Sequence, residues 1–118
     1  DLSHCNVNDL EQLEGLTKLQ TLKLTGWDLL TDVSHLAELT NLTELDLSYC
    51  SSLRVLNPLK DLSSLTSLNL YKCFSLEGLS PLKGLTSLRI LRISDYAVSK
   101  PEIEALLSVL PTLKIRHK

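Results

Sequence analysis

Leucines recur along this chain in a fixed phrase. Leu16, Leu39, Leu62 and Leu85 stand 23 residues apart, and they open the copies LTKLQTLKLTGW, LTNLTELDLSYC, LSSLTSLNLYKC and LTSLRILRISDY. Within each copy apolar residues fall at offsets 0, 3, 6 and 8. The step from 6 to 8 has the period of a strand, so Leu22/Leu24, Leu45/Leu47, Leu68/Leu70 and Leu91/Ile93 are expected to point inward from short strands. Offset 11 holds Trp27, Cys50, Cys73 or Tyr96, where the chain leaves the strand and turns. Later apolar residues, such as Leu53, Leu56 and Leu59 or Leu76, Leu79 and Leu82, carry it back along the opposite side. A period in this range marks a solenoid whose units pack only against their neighbours. Strands related by such a period lie parallel and side by side, so the stack curves and its concave face is lined by strands.

The return segments are too short for long helices. Asn57-Pro58 and Ser80-Pro81 read as a cap followed by proline at the first helical position, which predicts a single helical or 3₁₀ turn in each. The two ends depart from the phrase. Asp1-Leu2-Ser3-His4-Cys5 aligns with Asp46-Leu47-Ser48-Tyr49-Cys50, so the chain opens in mid-strand, and Leu10, Leu13 and Leu16 follow the rule. An uncapped end of this kind exposes leucines and a strand edge. It predicts that the chain is cut from a longer one, or that its N-terminal end docks further repeats. Near the other end Ser99 and Glu102 form a capping box with Pro101 in the first turn, and Ile103, Leu106, Leu107 and Leu110 make an apolar stripe. A helix is therefore predicted over Lys100–Val109. Leu110, Leu113 and Ile115 restate offsets 3, 6 and 8 as a last strand, and Arg116-His117-Lys118 charges its edge. The expected organisation is one domain over 1–118, with a partial repeat at 1–15, full repeats at 16–38, 39–61 and 62–84, and a last repeat at 85–118.

The pattern LxxLxxLxLxx(C/W/Y) resembles the leucine-rich repeat family over nearly the whole chain. Ser80–Leu88, SPLKGLTSL, is similar to the short repeats of bacterial internalins, and Leu45–Leu53, LDLSYCSSL, to those of plant immune receptors. The resemblance implies an α/β solenoid of about six short parallel strands, with 3₁₀ or irregular convex segments and one C-terminal helix. It also implies a binding function on the concave face. The family usually places asparagine at the turn after the strand. Here tryptophan, cysteine and tyrosine stand there, so a continuous asparagine ladder is absent.

Composition agrees with a repeated shape. Leucine dominates, aromatics make up 4% and methionine is absent, as suits coils that each fill the same space. A formal charge of -2 gives no reason to expect a nucleic-acid partner. No apolar run is long enough for a membrane span. The three cysteines, Cys5, Cys50 and Cys73, share one slot of the repeat. They are expected to be buried thiols. A Cys50–Cys73 bridge is the alternative, since neighbouring strands lie about 4.8 Å apart, although parallel inward side chains suit its torsion poorly. An odd count of buried thiols leans towards a reducing, cytoplasmic setting.

Chemistry is sparse. No nucleophile, base and orienting group can be placed together, no glycine-rich phosphate loop exists, and His4, His35 and His117 lack metal-ligand spacing. Neither enzyme activity nor a cofactor is expected. Trp27 is expected to pack inward rather than to hold a ligand, and the Asn41-Leu42-Thr43 sequon is a by-product of the repeat phrase.

Function is expected on the outward columns beside the leucines. These run Thr21, Glu44, Ser67, Ile90, Thr112; Asp1, Lys23, Asp46, Asn69, Arg92, Lys114; Ser3, Thr25, Ser48, Tyr71, Ser94, Arg116; and His4, Gly26, Tyr49, Lys72, Asp95, His117. Glu44 and Asp46 form an acidic spot, whereas Arg92, Lys114 and Arg116 form a basic one. Tyr49 and Tyr71 are neighbours of the kind enriched at binding hot spots. The expectation is a non-catalytic module that binds a protein partner through Glu44, Asp46, Tyr49, Asn69, Tyr71 and Arg92. A spacer or capping segment of a longer repeat protein, or a targeting domain detached from an enzyme, are the alternatives.

Overall fold

The computed structural model describes residues 17–27, 31, 33–94 and 99–116. Five strands, β1 (Thr21–Lys23), β2 (Glu44–Asp46), β3 (Ser67–Asn69), β4 (Ile90–Arg92) and β5 (Lys114–Arg116), form one parallel sheet in chain order. The opening half-strand at Asp1–Cys5, which would make a sixth, lies outside the described residues.

Each strand is short because only its central leucine must face inward. Leu22, Leu45, Leu68 and Leu91 are all buried and stand in register across the sheet. Leu24, Leu47, Leu70 and Ile93 follow, and their N–H groups donate to Asp46, Asn69, Arg92 and Arg116 carbonyls at 2.8–2.9 Å. Every rung thus satisfies its backbone on the next one while its leucines close the space between. Burying one leucine contributes about 1.5–3 kcal/mol, so a stack of identical rungs accumulates stability without a large central core.

The return segments contain short 3₁₀ turns at Ser34–Glu38, Asn57–Leu59 and Ser80–Gly84. Their caps differ from the expectation. The residues preceding the last two turns are Leu56 and Leu79, and neither Asn57 nor Ser80 makes a side-chain cap; these two are themselves the first residues of the turns. Proline fixes the backbone there without a capping hydroxyl or amide.

The helix α1 spans Lys100–Val109, as the stripe of apolar residues predicts. Ser99 occupies its cap position, yet the capping box does not form. Glu102 turns away from its own helix and accepts the Leu79 N–H at 2.7 Å from the preceding return segment. Gly78 makes room for it, since a Cβ there would lie 3.2 Å from both Glu102 carboxyl oxygens. The carboxylate ties the helix to the stack instead of closing its own first turn.

The last strand is shifted. Leu113 closes a turn onto the Leu110 carbonyl at 3.1 Å, as Leu88 does onto Leu85 at 2.9 Å. Leu110 and Leu113 therefore play offsets 0 and 3, not 3 and 6. Ile115 pairs with Leu91, and Arg116 with Arg92. Ile115 comes two positions after Leu113, whereas Leu91 comes three after Leu88, so β5 enters the sheet one residue early.

Candidate concave docking surface

The sheet presents its outward side chains in two columns, exposed or half-buried. Thr21, Glu44, Ser67, Ile90 and Lys114 form one, and Lys23, Asp46, Asn69, Arg92 and Arg116 form the other. The shift of β5 places Arg116, rather than Lys114, beside Arg92, and removes Thr112 from the first column. A shallow hollow of about 180 Å³ lies between these columns, with Lys23, Glu44, Asp46, Ser67, Asn69 and Arg92 on its lining. Four of the six expected contact residues, Glu44, Asp46, Asn69 and Arg92, are thus brought together.

Two of those four also serve the fold. Asp46 Oδ1 accepts the Ser48 N–H at 2.9 Å and the Ser48 hydroxyl at 2.6 Å. Asn69 Oδ1 accepts the Tyr71 N–H at 3.0 Å. Each side chain closes an Asx-type turn that leads the chain out of its strand. The third predicted column is only partly a surface. Ser48 and Ser94 are buried, and Ser94 Oγ accepts the Lys72 N–H at 2.8 Å.

Tyr49 and Tyr71 sit at the rim where the strands exit. Their rings meet edge to face with centroids 5.8 Å apart, and the Lys72 ammonium lies 5.7 Å from the Tyr71 ring centre. Tyr49 is nearly half exposed, at 47%. A feature missed by sequence reasoning is the backbone beneath this rim. Gly26, Tyr49 and Lys72 occupy equivalent positions, and all three have positive φ, at 82°, 62° and 62°. Glycine adopts that conformation at little cost, whereas a residue with a Cβ loses about 1–2 kcal/mol. The glycine of the first copy was the one available signal.

Beneath the rim the cysteine slot ties each turn to the preceding rung. Cys73 Sγ donates to the Leu47 carbonyl at 2.9 Å and Cys50 Sγ to the Leu24 carbonyl at 3.4 Å. Both thiols are buried and free, and no Cys50–Cys73 bridge is present. Burial, with Cys50 close by, pushes the Cys73 thiol up to about 12. Trp27, in the same slot, is buried in the core. Asn41 of the sequon has a structural task, since its amide donates to the Thr17 carbonyl at 2.7 Å.

A second hollow, of about 270 Å³, lies on the return side between Arg54, Asn57, Glu77 and Ser80. Although larger, it is internally neutralised, because Arg54 and Glu77 pair at 2.8 Å. The concave hollow contains charged groups with no ion pair among the described residues, which makes it the stronger candidate. No three metal-binding side chains converge among the described residues, and no helix there is long and apolar enough to cross a membrane.

Residues 33–114 match the family described as Zer-1-like leucine-rich repeats. Among solved structures, internalin C2 of Listeria monocytogenes is 32% identical, with a TM-score of 0.73 over 89% of this chain and 44% of its own. A second internalin of Listeria monocytogenes is 28% identical, with a TM-score of 0.71 over 88% of this chain and 29% of its own. A leucine-rich repeat protein of Leptospira interrogans is 26% identical, with a TM-score of 0.74 over 90% of this chain and 27% of its own. The chain therefore spans less than half the length of each of these structures. No curated protein sequence matches it.

Proposed function

The chain belongs to the leucine-rich repeat family, and we propose on that premise that its concave strand face is a non-catalytic docking surface for a protein partner. Repeats of this fold serve in general as protein-interaction modules without enzymatic activity. The observation that carries the reading is the pair of in-register columns, whose side chains project from a backbone hydrogen-bonded rung to rung. Such a surface is ordered before the partner arrives, so little conformational freedom is lost on binding.

In this reading Glu44 and Arg92 supply charge, Asp46 and Asn69 supply polar contacts from the centre, and the Tyr49–Tyr71 rim supplies apolar area beside them. A photo-crosslinking side chain tests it when placed at Ser67, on the concave face, and separately at Lys60, on the return side. Adducts to a discrete partner from Ser67 alone, abolished by Glu44→Lys or Arg92→Glu, are expected. Equal adducts from both positions would sink the reading.

A further inference from the structure

The register of β5 has a consequence for the charges on the concave face. Arg92 and Arg116 are cross-strand partners, so their backbones lie about 4.8 Å apart and both guanidinium groups rise from the same side of the sheet. Both are exposed, and Lys114 stands two residues before Arg116 in the neighbouring column. Like charges placed directly opposite one another repel and weaken a sheet. Neither arginine has a carboxylate partner among the described residues, and the outward positions of β4 and β5 hold no acid at all: they are Ile90, Arg92, Lys114 and Arg116.

The acidic pole on β2 is different. Asp46 already spends one oxygen on Ser48, and Lys23 stands beside it in register. The demand for an outside counter-charge is therefore concentrated at the β4–β5 end.

We propose that Arg92 and Arg116, assisted by Lys114, form a carboxylate-binding clamp for an acidic segment of the protein partner. This rests on the docking reading above and names the chemistry the partner must offer there. Two guanidinium groups presented side by side can each grip a carboxylate through a fork of two N–H donors. A long polyanion does not fit the same face. Laid across the strands it would meet Glu44 and Asp46 on β2, two strand spacings or about 10 Å from Arg92. The clamp therefore selects a short acidic element, one or two carboxylates long, over a nucleic acid.

The experiment follows the arginine Nε–H and backbone amide resonances of the protein while a capped diglutamate peptide is added. Saturable shifts of Arg92 and Arg116, with β4 and β5 moving and β2 not, are expected, and the affinity should fall several-fold between 50 and 200 mM salt. Arg92→Gln or Arg116→Gln should each weaken the peptide at least tenfold, and the Arg92→Lys, Arg116→Lys double variant should bind less tightly while retaining its charge. Absence of saturable shifts, equal binding by the glutamine variants, or tighter binding of a ten-nucleotide single-stranded DNA would overturn the clamp. Partner adducts from Ser67 that persist unchanged in the glutamine variants would overturn it too, and leave the docking reading intact. Peptide binding without any Ser67 adduct would leave a carboxylate site at β4–β5 but overturn both the docking reading and the clamp's role in gripping a protein partner.

Discussion

The middle rungs and the last rung of this molecule begin with the same phrase and end differently. From Leu39 and Leu62 the chain returns through brief 3₁₀ turns and reaches the next rung after 23 residues. From Leu85 it returns through the ten-residue helix α1 and reaches the equivalent Leu110 after 25. A helix advances about 1.5 Å per residue against 3.3 Å for extended chain, so it needs more residues to cover the same return path. The middle rungs repeat one solution for both packing and hydrogen bonding. The last rung keeps the packing, with Leu110 and Leu113 buried, but changes the register. Apolar spacing reports which residues are buried; it does not report which residue meets which across the sheet once the connection changes.

The sharpest way to break this comparison is to open a cavity in each region. Leu68→Ala should cost about 2–5 kcal/mol in urea denaturation, because Leu68 is fully enclosed between rungs. Ile115→Ala, at a half-buried position of the last strand, should cost about 1–2 kcal/mol. Equal losses would mean that the terminal rung is packed as tightly as the middle.

The tether between helix and stack comes next. Glu102→Ala leaves the Leu79 N–H without its acceptor and should cost about 1–2 kcal/mol. Gly78→Ala, which crowds the same carboxylate, should cost less, and the two losses should not add. Additive losses would show that Gly78 acts by some route other than admitting Glu102.

Smaller effects sharpen the comparison within the middle rungs. Asn69→Ala should cost about 1 kcal/mol through the lost Tyr71 N–H bond, although the residue lines the open hollow. Lys72→Gly should change stability in the opposite direction, by a gain of about 0.5–1 kcal/mol, because its φ of 62° suits glycine. A loss at Lys72 would mean that its position over the Tyr71 ring outweighs the backbone cost.

The thiol slot gives a pH test. The Cys73 pKa is raised in the fold, so its stabilising contribution is complete below the unfolded thiol value of about 8.5. That contribution is lost progressively as the pH rises towards about 12. The denaturation midpoint should fall over this range, and less steeply in Cys73→Ala. Identical slopes would refute the assignment.

Much of this was legible in the residues. The strands, their parallel order, the helix over Lys100–Val109 and the inward place of Trp27 follow from periods of 2, 3.6 and 23. The surface was legible as a set of columns, and Glu44, Asp46, Asn69 and Arg92 do converge on one hollow. What escaped was the second use of certain residues. Asp46 and Asn69 stand in an outward column, yet both also close turns two residues ahead. The strand alternation places Ser48 and Ser94 outward, yet both are buried and hydrogen-bonded. Ser99 and Glu102 have the spacing of a capping box, yet Glu102 serves the neighbouring rung.

The 23-residue period is enough to mark the leucines that are buried. Burial in a solenoid is a one-dimensional property: every rung solves the same packing problem, so the answer is written at a fixed period. The tertiary structure decided the partners. The Ser94 hydroxyl that accepts Lys72, the carbonyls that accept the cysteines and the backbone that Glu102 holds all lie 22 to 26 residues away on an adjacent rung. Their pairing depends on how far each return segment carries the chain. The same dependence set Arg116, rather than Lys114, beside Arg92, a pairing that only the folded stack reveals.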